Sequence, residues 1–156
     1  MDIILEEDIE AKDEKSSSLN CAYLRTNLAF LLMLAYRQQY SILTELDFAF
    51  ASGKTRPDLC IMPRRKANWL EDEIVVQDVP ITTIEILSPE QSMTGLLDRI
   101  YKKHFPAGVK SVWLVIPALE IITVLLPDRN RINVTEGVLT DPVTGLQLNL
   151  NDVFGA

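Results

Sequence analysis

The sequence predicts an α/β fold, with one mixed, twisted sheet flanked by helices. Three observations carry this expectation. Leu24, Leu28, Leu31, Leu32 and Ala35 recur at helical spacing. Val112-Trp113-Leu114-Val115-Ile116 is a continuous apolar run closed by Pro117, as in a strand buried on both faces of a parallel sheet. Between Ile81 and Ile116 a strand, a helix and that apolar strand follow in order, which reads as a right-handed crossover unit.

Taken in order, residues 1–18 are polar and Ser-rich and read as a lead-in, and 19–156 read as a single domain. Ser18 or Asn20 can cap a helix from about Leu19 to Tyr40. Its apolar face is wide, so it should lie against a sheet. Ile42 to Ala51 predicts one strand, and Ser52-Gly53-Lys54 a turn leading into a strand that starts at Pro57-Asp58. Arg64 to Asp72 reads as a polar loop, and Ile74 to Val76 as a short extended piece. Ser88-Pro89-Glu90-Gln91 is a helix-start signal with a capping box, and Ser92 offers a second start. Pro106 and Gly108 end that helix. Ile121 to Leu126 predicts a strand, and Leu139 opens a hairpin whose turn is Asp141-Pro142-Val143-Thr144-Gly145.

Composition narrows the function. The chain has 156 residues, of which 47% are hydrophobic, enough for a normal core. No apolar run approaches the roughly 20 residues that span a bilayer, and Glu6, Glu7, Asp8 and Glu10 make the N-terminus unlike a signal peptide. The expectation is a cytoplasmic protein without a membrane partner. A net charge of −7 argues against a general nucleic-acid coat but leaves room for a local basic groove. Arg64-Arg65-Lys66 and Arg99, Lys102, Lys103 with Lys110 are the basic clusters; solvated surface is the plainer reading of both. Cys21 and Cys60 sit among apolar neighbours, without Cys-x-x-Cys spacing and with one histidine, His104. They read as buried thiols, not zinc ligands.

The most informative pair is Asp58 and Glu85. Each interrupts an apolar strand, and a carboxylate there is costly to bury unless a cation or hydrogen bonds meet it. Alternation puts Thr83, Glu85 and Leu87 on one face, and Asp58 on the face of Cys60 and Met62. On neighbouring strands the carboxylates can converge, and oxygen donors of this kind suit Mg2+ or Mn2+. Asp58 also reads as a turn residue, and Glu85 as half of an ion pair. Glu45 and Asp47 are further carboxylates, read as exposed ends of an alternating strand. On the next helix Met93, Leu96, Leu97, Ile100 and His104 form the apolar stripe; Lys103 borders it, Arg99 lies farther round, and Lys102 points nearly opposite. Arg99 and Lys103 are therefore the candidate catalytic cations.

Pro57-Asp58, then Ile84-Glu85-Ile86-Leu87-Ser88-Pro89, then the run Gly108 to Pro117, with Gly137 to Pro142 and Phe154, resemble the Uma2-type (DUF820) domain over about residues 20–154. That family belongs to the PD-(D/E)xK, restriction-endonuclease-like superfamily and is abundant in cyanobacteria. The resemblance implies a three-layer fold around a mixed sheet. It also implies a Mg2+-dependent (or Mn2+-dependent) endonuclease that hydrolyses DNA, with Asp58, Glu85 and the backbone carbonyl of Ile86 as metal ligands. The superfamily places a lysine two residues after the glutamate, where this chain has Leu87. Uma2-type chains carry a lysine on the following helix instead. Counting forward from Glu85 that position falls on Arg99, and counting back from Gly108 it falls near Ile100. Arginine stays protonated, so Arg99 can clamp a phosphate but not act as a base. The family's acidic residue ahead of the first helix has only Glu6, Glu7, Asp8 or Glu10 to match it. The rival expectation is a catalytically weak or inactive nuclease-like module acting as a homodimer. A Ser or Cys hydrolase finds little support, since no Gly-x-Ser-x-Gly elbow exists.

Overall fold

A computed structural model describes residues 17–155. The acidic residues Glu6, Glu7, Asp8 and Glu10, and all of the lead-in up to residue 16, lie outside it. Helix α1 (Leu19–Tyr36) is capped by Ser18, whose Oγ accepts from the Cys21 N–H at 3.2 Å. Cys21, Leu24, Leu28 and Leu32 form its buried stripe. The helix ends before the expected Tyr40 because Tyr40 already pairs with Pro63 in a ladder.

The single strand expected from Ile42 to Ala51 is two. Strand β1 (Tyr40–Thr44) stops at Glu45, which takes a left-handed φ of 51°. Strand β2 (Phe48–Phe50) then pairs with β3 (Gly53–Thr55) as a separate hairpin, turning at Ala51-Ser52. The kink sends Ile42 to one core and Phe48 and Phe50 to another. Strand β4 (Leu59–Pro63) returns to pair with β1, so the Pro57-Asp58 strand belongs to the main sheet and not to the hairpin. Val76 makes one parallel bridge with Phe48.

Strand β5 (Thr82–Ile86) is buried throughout. Ser88 to Gln91 closes as a turn: the Gln91 N–H donates to the Ser88 carbonyl at 3.1 Å and the Ser88 N–H to Gln91 Oε1 at 3.0 Å. The helix begins afresh as α2 (Met93–Arg99), with Ser92 Oγ accepting from the Gly95 N–H at 2.9 Å. A π turn (Ile100–His104) and α3 (Phe105–Ala107) continue it, and Gly108 ends it at a φ of 113°. Strand β6 (Ser111–Ile116) lies parallel to β5, completing the predicted crossover. A 3-10 turn (Pro117–Leu119) leads to β7 (Ile121–Leu125), then β8 (Arg131–Val134), the hairpin β9 (Val138–Thr140) with β10 (Gln147–Asn149), and α4 (Leu150–Phe154).

The main sheet runs β1-β4-β5-β6-β7-β8, with β5–β6 the parallel pair and the other pairs antiparallel. One face packs Leu59, Ile61, Ile84, Ile86, Trp113 and Val115 against α1, α4 and the β9–β10 hairpin. The other packs Cys60, Met62, Val112 and Leu114 against α2, the π turn and the β2–β3 hairpin. Burial pushes the Cys60 thiol up to about 12, so it stays protonated. Asp141 locks the late hairpin to the sheet. Its Oδ2 accepts from Ser111 Oγ at 2.7 Å and Trp113 Nε1 at 2.8 Å, and its Oδ1 from the Val143 and Thr144 N–H groups.

Candidate active site

Glu85 sits in the middle of the sheet, on a strand flanked by β4 and β6. The antiparallel register pairs Leu59 with Ile84 and Cys60 with Thr83; one step beyond, Asp58 falls opposite Glu85. Asp58 lies past the last ladder pair, so strand alternation no longer fixes its direction. Its Oδ2 accepts from the Ile86 N–H at 2.8 Å and its Oδ1 from Arg25 Nη2 at 2.6 Å. The Asp58 carboxylate is therefore held at the open end of the β4–β5 ladder, between the backbone of β5 and Arg25 of α1. Ile86 reaches the site through its backbone.

Arg25 comes from the edge of the buried stripe of α1 and lies 3.7 Å from Glu45 as well. The Glu45 N–H donates to the Asp58 carbonyl at 3.1 Å, so the left-handed kink draws Glu45 into this cluster. Asp47 is engaged instead by Arg56, at 2.8 and 2.9 Å. Burial raises the pKa of Asp58 above the ordinary carboxylate value, and the Ile86 N–H and Arg25 oppose that rise. For Arg25 burial works downward, but the Asp58 hydrogen bond and charge prevail and the net direction is up.

Glu85 is 2% exposed. Arg99 Nη1 lies 3.8 Å from its Oε2, and His104 Nε2 lies 3.7 Å from its Oε1. Arg99 is buried with Leu96 and Ile100, its neighbours at i−3 and i+1, so it lies on the inner helix face and not round the side as the wheel predicts. His104 is fully buried, with Nδ1 at 2.7 Å from Thr83 Oγ1 and Nε2 at 3.2 Å from Thr55 Oγ1. Burial, then the charges of Arg99 and Lys103, push its pKa down to about 3, so the ring is neutral at physiological pH. The π turn that presents His104 is a helix irregularity concentrated at functional sites. Lys103 lies across the β2–β3 turn, with Nζ donating to the Lys54 carbonyl at 3.1 Å. Lys102 is exposed and pairs with Asp98, in keeping with its outward position on the wheel.

The structure thus brings Asp58, Ile86, Glu85 and Arg99 to adjoining positions on two central strands and one helix. It adds Arg25, which sequence reasoning missed. The available signal was one basic residue bordering the stripe Cys21, Leu24, Leu28, Leu32. Among the described residues no three His, Cys, Asp or Glu side chains gather as a metal-binding group. Two carboxylates nevertheless suffice for Mg2+, which takes one or two from protein and fills its octahedron with water and substrate phosphate. The donor set fits such an ion through hard oxygens, with Asp58 Oδ1 the oxygen that Arg25 now holds.

A mixed sheet with the parallel β5–β6 pair at its centre, helices on both faces and a carboxylate at the heart of β5 defines the restriction-endonuclease-like α/β fold. One solved structure of this fold is "a putative nuclease belonging to DUF820" from Anabaena variabilis ATCC 29413. It superposes with a TM-score of 0.74 at 21% identity, covering 89% of this chain and 82% of that one. The fold expected from the Uma2-type resemblance is therefore the fold observed. No family model and no curated protein matches the sequence.

Proposed function

We propose that the protein is a metal-dependent nuclease acting on DNA, with Asp58 and Glu85 as the metal-holding pair. The observation that carries this reading is the register that sets Asp58 opposite Glu85 across β4 and β5. Its setting, a fold shared with the chain described as "a putative nuclease", supports the same class of substrate. Asp58 Oδ1, a Glu85 oxygen and the Ile86 carbonyl would hold Mg2+ or Mn2+, which when bound activates water and offsets charge on the attacked phosphate. The Ile86 N–H anchors Asp58 through its other oxygen and keeps the two strands in register. Arg99 places its guanidinium beside Glu85, where it steadies a phosphate. Lys103, in the π turn that continues α2, adds a further positive charge on that side.

Supercoiled plasmid tests this reading. Nicking should require Mg2+ or Mn2+, stop with chelator, and fall at least about 100-fold in Asp58→Ala and Glu85→Ala. Cleavage that persists without divalent ion, or is unchanged in Asp58→Ala, would falsify it.

One observation favours a second reading, a dimeric interaction module in the same fold. The outer face of α1 exposes Leu19, Tyr23, Phe30 and Leu34, an uncharged apolar stripe along the helix. Light scattering at two chain masses, lost in Phe30→Asp, would support it; a monomer at all concentrations would exclude it.

A further inference from the structure

We infer that Arg25 is a built-in competitor for the cation at Asp58, occupying the carboxylate oxygen a metal ion must take. The inference rests on the metal-site reading above. Asp58 has two oxygens, and they do different work. Oδ2 is committed to the Ile86 N–H at 2.8 Å, a bond that closes the open end of the β4–β5 ladder. Giving it up would leave a backbone donor of a central strand without its acceptor, which is costly inside a sheet. Oδ1 is held only by a side chain, Arg25 Nη2, at 2.6 Å. An incoming ion therefore contends with Arg25 and not with the sheet.

The guanidinium is placed to contend and to leave. It is mostly buried, with 15% of its side chain exposed against 18% for Asp58, so its charge is weakly screened. Its contacts through Nη1 are loose, at 3.3 Å from Ser17 Oγ and 3.7 Å from Glu45 Oε1. Its Nε is buried and finds no hydrogen-bond partner among the described residues. One strong bond thus holds the group at Asp58, and Glu45, half-exposed beside it, offers a second carboxylate to pair with when that bond breaks. Arg25 thus neutralises Asp58 while no ion is bound and sets the concentration at which one enters.

Mn2+ alone is the probe, with binding read by calorimetry and by the electron paramagnetic resonance of free Mn2+. Arg25→Met keeps the apolar stem and removes the charge. It should bind Mn2+ at least about tenfold more tightly than the wild type. Arg25→Lys, which keeps the charge, should stay within a few-fold of wild type, and Asp58→Asn added to Arg25→Met should abolish the gain. Thermal melts report whether each variant folds; Mn2+ should raise the melting temperature of Arg25→Met more than that of wild type. If the wild type binds Mn2+ and a folded Arg25→Met binds it no more tightly, Arg25 is no competitor and the metal site stands. If neither binds Mn2+, the metal-site reading falls and takes this inference with it.

Discussion

His104 shows how a single residue can serve the site without reacting. It is closed off from solvent between Thr55, Thr83 and Glu85, and its ring is kept neutral by burial and by the charges of Arg99 and Lys103. A folded-state value of about 3 against an ordinary 6.5 means the unfolded chain binds the proton first. The stability that neutral His104 brings is fully present above pH 6.5 and is lost as the pH falls toward 3. Urea melts at pH 7 and pH 5 should therefore differ by about 2 kcal/mol more in wild type than in His104→Gln. Equal losses in the two proteins would show that His104 titrates normally. At this scale the sequence was informative about carboxylates. Asp58 and Glu85 stood out because a charged group in an apolar strand demands a partner. It was silent about Arg25, whose partner lies 33 residues away on another element and leaves no local pattern. Arg99 was reached by counting from Glu85 while the helical wheel placed it elsewhere; the buried carboxylate facing α2 draws it inward.

Among the elements, the crossover from β5 to β6 was legible because both strands are buried on two faces and Ser92 and Gly108 mark the helix between them. The break between β1 and β2 was not. Apolar alternation continues through Ile42, Leu46, Phe48 and Phe50, and nothing in Glu45 announces a left-handed residue. The β9–β10 hairpin was visible in its turn sequence, but its anchor was not. Asp141 is fully buried and joins Ser111 of β6, Trp113 of β6 and two turn N–H groups. Asp141→Ala would leave several buried donors without acceptors, and should cost about 3 kcal/mol or more in denaturant melts. Asp141→Asn, which still accepts through one oxygen, should cost less. A loss under about 1 kcal/mol in Asp141→Ala would mean the hairpin holds by apolar packing alone.

In the whole molecule, the two carboxylates draw their positive partners from different helical layers. Asp58 is met by Arg25 from the α1 side, and Glu85 by Arg99 and His104 from the α2 side. The sheet thus positions the pair, and the two layers supply the cations that make burying it tolerable. No helix among the described residues is long and apolar enough to cross a membrane, as composition led us to expect. On the function proposed above, one divalent ion binds between these strands. Crystals soaked in Mn2+ and measured for anomalous scattering test it most directly. One peak is expected about 2.1 Å from Asp58 Oδ1 and from a Glu85 oxygen, with Arg25 turned off Asp58. No peak at either carboxylate at saturating Mn2+, with Arg25 still bonded to Asp58, would contradict it.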